Sequence, residues 1–260
     1  MPTVKEIEAF LFSAAPKDLA MSWDNVGLLV GQPDQIVRRV LVALDITGDV
    51  VQEAAAEGAE LIVAHHPVMN CKWLPVQTVR TDTPQGRVLT ELIRSGVSAI
   101  CMHTNLDITE GGVNDCLAQA VGLAVLEPLG EDGCGRVGIL PEEMTMDVFL
   151  PFVAQALHCS GIRYVSAGKP VRRVAVGGGA CWNYHADALY KGCDTFLTSD
   201  LSYHDFLDAR AMGLNVIDAG HFPTEDVVCP KLVSMLQSAY PQLKIKKSTF
   251  HREVFQYFLS

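Results

Sequence analysis

The chain has 260 residues, 49% of them hydrophobic, enough to bury one large core or two modest ones. Its formal net charge of -10 argues against tight non-specific binding to DNA or RNA, where Lys and Arg supply most of the affinity. No apolar run suits a membrane span, and eight cysteines scattered without a CxxC pair point to reduced thiols in the cytoplasm rather than a zinc ribbon or redox motif.

From the N-terminus, MPTVKEIEAFLFSAAPKDLAMSW carries charges through its apolar stretch and reads as an amphipathic helix rather than a signal peptide. Val37 to Leu44 reads as a strand, Asp49 to Glu57 as a helix closed by Gly58, and Glu60 to Ala64 as a second strand, a βαβ unit. A helix from Thr83 to Ser95, ended by Gly96, leads to a strand at Val97 to Met102, and Val113 to Val121 continues as a helix. Glu127 to Pro170 contains Gly- and Pro-punctuated strands and a helix near Met146 to His158, with a domain boundary expected at Glu127-Pro128.

A second unit begins at Val171. VRRV at 171 to 174 repeats VRRV at 37 to 40 without gaps, and the same offset aligns Gly58 with Gly192, Glu60 with Asp194, LIVA with TFLT, and His65-His66 with Ser199-Asp200. Duplication accounts for this, with convergence on one architecture as the alternative. The expected fold is α/β: two α/β domains of related topology, with mixed, largely parallel sheets flanked by helices. Residues 1–126 plus 222–260 are expected to form a metal-binding domain, with 127–221 inserted between them.

Three polar groups follow short apolar segments: His65 and His66 in LIVAHHPV, His103 and Asp107 in CMHTNLD, and His221 and Glu225 in DAGHFPTE. Groups that follow parallel strands gather outside their carboxyl ends and can converge. Neighbours in a strand face opposite ways, so His65 and His66 are expected to serve different ions. The spacing of His221 and Glu225 would share a helix face, but Pro223 suggests instead a helix that starts within the motif. An N3O2 set of His65, His66, His221, Asp107 and Glu225 suits Zn, Fe, Mn or Ni better than Ca or Mg. For any one histidine, a hydrogen-bonded edge residue is the alternative. His103 reads as a general acid/base, a partner of a ligand or a loop tie.

Taken in order, SWDNVGLLVG (22 to 31), VALDIT (42 to 47), AHHP (64 to 67), HTNLD (103 to 107), GGVND (111 to 115), DLSYHD (200 to 205) and GHFPTE (220 to 225) resemble the NIF3-like, or YbgI-like, dinuclear metal proteins, called GTP cyclohydrolase 1 type 2 homologues. The resemblance implies a two-domain α/β protomer in a toroidal homohexamer. It implies two divalent ions per protomer on His65, His66, Asp107, His221 and Glu225, with Glu225 bridging. Ser199 stands where members of the family often have glycine. Trp23, Asp24 and Asn25 are expected to line or brace the cavity, Tyr203 and His204 to contact substrate or form a helix-start network, and Asp200 to cap that helix. Gly177 to Gly179 precede a helix, but without GxGxxG or GK[ST] a tight turn is preferred over a nucleotide loop.

The expected function is metal-dependent hydrolysis with a metal-activated water and a second ion stabilising developing negative charge. His103 or His204 would move protons, and the substrate would be a small molecule, nucleotide-like in kind. The alternative is a non-enzymatic ring that stores or delivers metal or serves as a scaffold.

Overall fold

The computed structural model describes residues 1–258. These residues form eleven strands: β1 (Gly27–Val30), β2 (Arg39–Ala43), β3 (Leu61–Ala64), β4 (Ser98–Cys101), β5 (Ala124–Pro128), β6 (Arg136–Met144), β7 (Arg163–Val165), β8 (Val171–Val176), β9 (Thr195–Thr198), β10 (Asn215–Asp218) and β11 (Lys244–Lys247). They belong to two compact units. The first comprises Met1–Thr109 and Cys229–Arg252, the second Glu110–Val228 and the residues from Glu253 onward.

In the first unit the strand order is β1-β4-β3-β2-β11. The last four run parallel, and β1 pairs antiparallel with β4. Every residue of β3 and β4 is buried, which is why LIVA and SAIC read as unbroken apolar or small runs. The flanking helices are bounded by local chemistry. Thr3 and Glu6 form a capping box for the helix Val4–Ala14, whose Val4, Ile7 and Leu11 are buried at helical spacing. Thr83 caps Pro84–Ser95, and Gly96 ends it in the left-handed conformation.

The second unit has the order β5-β6-β8-β9-β10-β7. Here β8, β9 and β10 are parallel, and the outer pairings are antiparallel. Phe149, Val153, Val174 and Leu197 are wholly buried in its core. At about 1.5–3 kcal/mol for each fully buried side chain of this size, such residues dominate the unit's stabilisation.

The repeat extends to individual hydrogen bonds. Glu60 Oε2 accepts from the backbone N–H of Arg38 and Arg39, and Asp194 Oδ2 accepts from Arg172 and Arg173 in the same way. The Arg39 guanidinium donates to the Glu57 carbonyl, and that of Arg173 donates to the Lys191 carbonyl. Gly58 and Gly192 both close their helices with positive φ. The order β4-β3-β2 corresponds to β10-β9-β8, each with an antiparallel edge strand.

The units do not divide where the sequence reading placed the boundary. Helix Val113–Ala120 buries Leu117 and Ala118 in the second unit's core, so the break falls after Thr109 rather than at 126. Glu225 likewise joins His221 in the second unit, and the return to the first comes at Cys229 rather than at 222. The apolar face of a helix, rather than a change in composition, sets these limits.

Candidate metal centre

In the first unit the candidate residues stand just beyond the carboxyl ends of parallel strands. His65 and His66 follow β3 directly, Asp45 comes two residues after β2, and His103 two after β4. Because β3 ends at Ala64 and the chain then bends, face alternation does not extend to the pair. The rings of His65 and His66 lie side by side, with centroids 5.0 Å apart. The ligand atoms of His65, His66 and His103 all lie within 4.8 Å of one another.

Each of these imidazoles is oriented through Nδ1. His65 Nδ1 is 2.8 Å from the Met102 carbonyl, His66 Nδ1 is 2.7 Å from Asp45 Oδ1, and His103 Nδ1 is 2.8 Å from Asp24 Oδ1. All three partners are acceptors, so Nδ1 carries the proton and Nε2 is left with its lone pair, the arrangement also found around metal-bound histidines. His65 Nε2 lies 3.5 Å from Asp107 Oδ1. A proton or a cation shared between two such lone-pair-bearing atoms would relieve their repulsion.

Asp45 is shared, its other oxygen lying 2.9 Å from His251 Nε2. Burial alone would raise its carboxyl, but the hydrogen bonds and charges of His251 and His66 hold it below the usual range. Asp24 Oδ2 accepts from the Thr104 backbone N–H and hydroxyl. There too burial opposes ionisation, and the contacts with His103 and Thr104 prevail, lowering the carboxyl to about 2.

In the second unit His221 and Glu225 lie on one five-residue helix, His221–Glu225. Their i, i+4 spacing brings His221 Nε2 to 3.0 Å from Glu225 Oε2. The helix does start within the motif, but at His221, two residues before Pro223, so the pair shares its face after all. Pro223 is accommodated because the first N–H groups of a helix have no partner within it. His221 Nδ1 is 2.6 Å from Asp200 Oδ2. Burial would lower this imidazole, but Glu225 on one side and Asp200 on the other push it up to about 11. Between two carboxylates, the imidazole keeps a proton at Nε2 where a cation can substitute for it.

The triple glycine has a different role from a phosphate cradle. All three amides are used within the chain: Gly177 to the Leu197 carbonyl, Gly178 to Asn114 Oδ1 and Gly179 to Thr224 Oγ1. A Cβ on Gly179 would stand 2.2 Å from Glu225 Oε1, and one on Gly178 would stand 3.2 Å from Glu225 Cγ. The turn is bare so that the Glu225 carboxylate can pass close to the backbone. Ser199 costs no backbone strain, since the left-handed residue is its neighbour Asp200, with φ 57°. Asp200 holds His221 instead of capping a helix; Ser202 caps Tyr203–Met212, with Asp205 completing the capping box. Tyr203 and His204 are exposed in the first turn of that helix, in edge contact with each other, and no metal-capable group of described residues includes His204.

Asp45, His251 and Trp73 drew no attention in the sequence. Asp45 stands inside VALDIT and could have been found as a carboxylate following an apolar strand. Nothing local marks His251, which lies 206 residues from Asp45 along the chain.

Parallel-cored sheets with histidines and carboxylates gathered at their strand ends define an α/β protein with groups able to hold a metal. The chain belongs to the Duf34/NIF3 (NGG1p interacting factor 3) family, whose sequence profile matches residues 2–253. It is 38% identical over 237 residues to a GTP cyclohydrolase 1 type 2 homolog of Streptomyces coelicolor, covering 86% of this chain and 82% of the relative. Against one of the same name from Clostridium perfringens it is 36% identical over 218 residues, covering 81% and 82%. The crystal structure of a Bacillus cereus protein related to NIF3 superimposes with a TM-score of 0.92 over 99% of each chain, at 27% identity. No helix among the described residues is long and apolar enough to cross a membrane, and all eight cysteines are free.

Proposed function

We propose that the protein is a metal-dependent hydrolase that binds two divalent ions, Zn, Fe, Mn or Ni, through His65, His66 and Asp107 of the first unit and His221 and Glu225 of the second, with Glu225 bridging. The observation that carries the reading is the shared orientation of the imidazoles. His65, His66 and His221 each have Nδ1 on an oxygen acceptor, which leaves Nε2 as the atom that would donate to a metal. When bound, the ions supply Lewis acidity and lower the pKa of water.

The protein's own groups perform the rest. Asp24 fixes the tautomer of His103, so that its Nε2 faces the same space as those of His65 and His66 and can accept and return a proton there. Asp45 and Asp200 hold His66 and His221 against rotation. We assign the substrate to small, nucleotide-like molecules in keeping with the name of the relatives, and the assembly to a homohexamer.

Elemental analysis of wild type, His66→Ala and Glu225→Ala tests the site. About two metals per protomer, falling sharply in both variants, is the expected result, and unchanged content rules the site out. A hydrolysis screen of the metal-loaded protein over nucleotides and phosphoesters then tests the activity. Turnover lost in Glu225→Ala with the assembly intact supports the enzyme, whereas metal-dependent assembly without turnover would establish a storage or scaffold protein.

A further inference from the structure

Two of the chain's three tryptophans stand together beside the imidazoles of the first unit. Trp23 and Trp73 have ring centroids 5.5 Å apart at an interplanar angle of 58°, and both meet the His103 ring edge-on, at 6.0 and 5.3 Å. They remain exposed by 37% and 56%. The third, Trp182, stacks on Phe196 and His185. Single exposed apolar residues need no explanation, but paired exposed indoles at the edge of a polar site do.

Their placement is built rather than incidental. Asn25 Nδ2 donates to the Met69 carbonyl, tying the Trp23 segment to the loop that carries Trp73. That loop is pinched by the Cys71–Leu74 bridge and by Asn70, which sits at φ 56° and accepts from the Val76 N–H. Asp24, next to Trp23, holds both His103 and Thr104. The same short segments thus orient the proposed proton carrier and the two indoles. Tilted rings in contact present exposed faces at an angle to each other, so that a planar ligand stacked on one would meet the other edge-on.

We propose that Trp73 and Trp23 form a subsite for a planar heteroaromatic ring, with Trp73 supplying the stacking face and Trp23 the side wall. It rests on the reading that the metal centre acts on a small molecule, and it places the ring of that molecule next to His103. Affinity then comes from stacking, which tolerates different rings, while His103 lies beside the rest of the molecule.

The test is binding of guanosine, cytidine and ribose 5-phosphate to the metal-loaded native protein, measured by calorimetry in wild type, Trp73→Ala, Trp73→Phe and Trp23→Ala. Both nucleosides are expected to bind, with affinity falling roughly tenfold or more in Trp73→Ala and by less than about threefold in Trp73→Phe, which keeps a stacking face. Ribose 5-phosphate should be indifferent to either change. Nucleosides that fail to bind at millimolar concentration, or bind Trp73→Ala as tightly as wild type, overturn the subsite. So does acrylamide quenching that is the same in wild type and Trp73→Phe, since it would mean that another copy of the chain covers the indole. Ring binding without turnover leaves the subsite standing and refutes the hydrolase, whereas turnover unaffected by Trp73→Ala does the reverse.

Discussion

Asp45 and Asp24 show how single carboxylates prepare this centre without being ligands in the proposed set. Asp45 accepts from His66 Nδ1 at 2.7 Å, and loss of such a partner typically costs 10- to 100-fold in metal affinity. Asp45→Ala is therefore expected to weaken binding of the ion on His66 by about that factor in a chelator competition. Asp45→Asn, whose amide oxygen can still accept the proton, should weaken it less. Asp24 makes a second prediction, through pH. Its carboxyl is lowered to about 2 in the folded chain, below the usual value near 4. The stability it contributes is present above about pH 4 and is lost as pH falls through about 2. Allowing for solvent screening, the contribution is about 1–2 kcal/mol. Acid unfolding followed by circular dichroism should be less steep in Asp24→Asn over this range, and an identical profile would contradict the assignment.

At the scale of elements, two glycines of the second unit allow a controlled comparison. Gly179 and Gly192 both have positive φ, 63° and 70°, so alanine at either costs about 1 kcal/mol of backbone strain. A Cβ at Gly192 meets nothing within 4 Å, whereas one at Gly179 lies 2.2 Å from Glu225 Oε1. Gly179→Ala should therefore lose metal, and Gly192→Ala should keep it at a comparable or smaller loss in thermal midpoint. Equal metal content in the two variants would show that the glycine turn serves only the chain's path. The short helix His221–Glu225 teaches a related lesson. A proline inside a helical pattern normally marks an end, but within the first turn it removes no hydrogen bond, and so the i, i+4 pair is kept.

At the scale of the whole molecule, the duplicated wiring at Glu60 and Asp194 shows one βαβ plan used twice, with different groups at the strand ends. The first unit carries the histidine pair, and the second carries Ser199-Asp200 at the same offset. Asp200 acts there by holding His221. The proposed homohexamer predicts a mass six times that of the 28.2 kDa chain in light scattering of the metal-loaded protein, and a monomer or dimer would refute it.

Sequence by itself determined the alternation of strands and helices, the glycine helix ends, the repeat offset and the candidate ligands. Each rests on patterns a few residues long, or on side-chain chemistry that needs no neighbours to be recognised. Tertiary structure decided what those residues meet. The 109/110 division depends on which sheet buries Leu117, and the pairs Asp24–His103 and Asp45–His251 span 79 and 206 residues. The clearance between Gly179 and Glu225 spans another long separation. Such contacts are set by strand order and by where strands end, and no local periodicity encodes them.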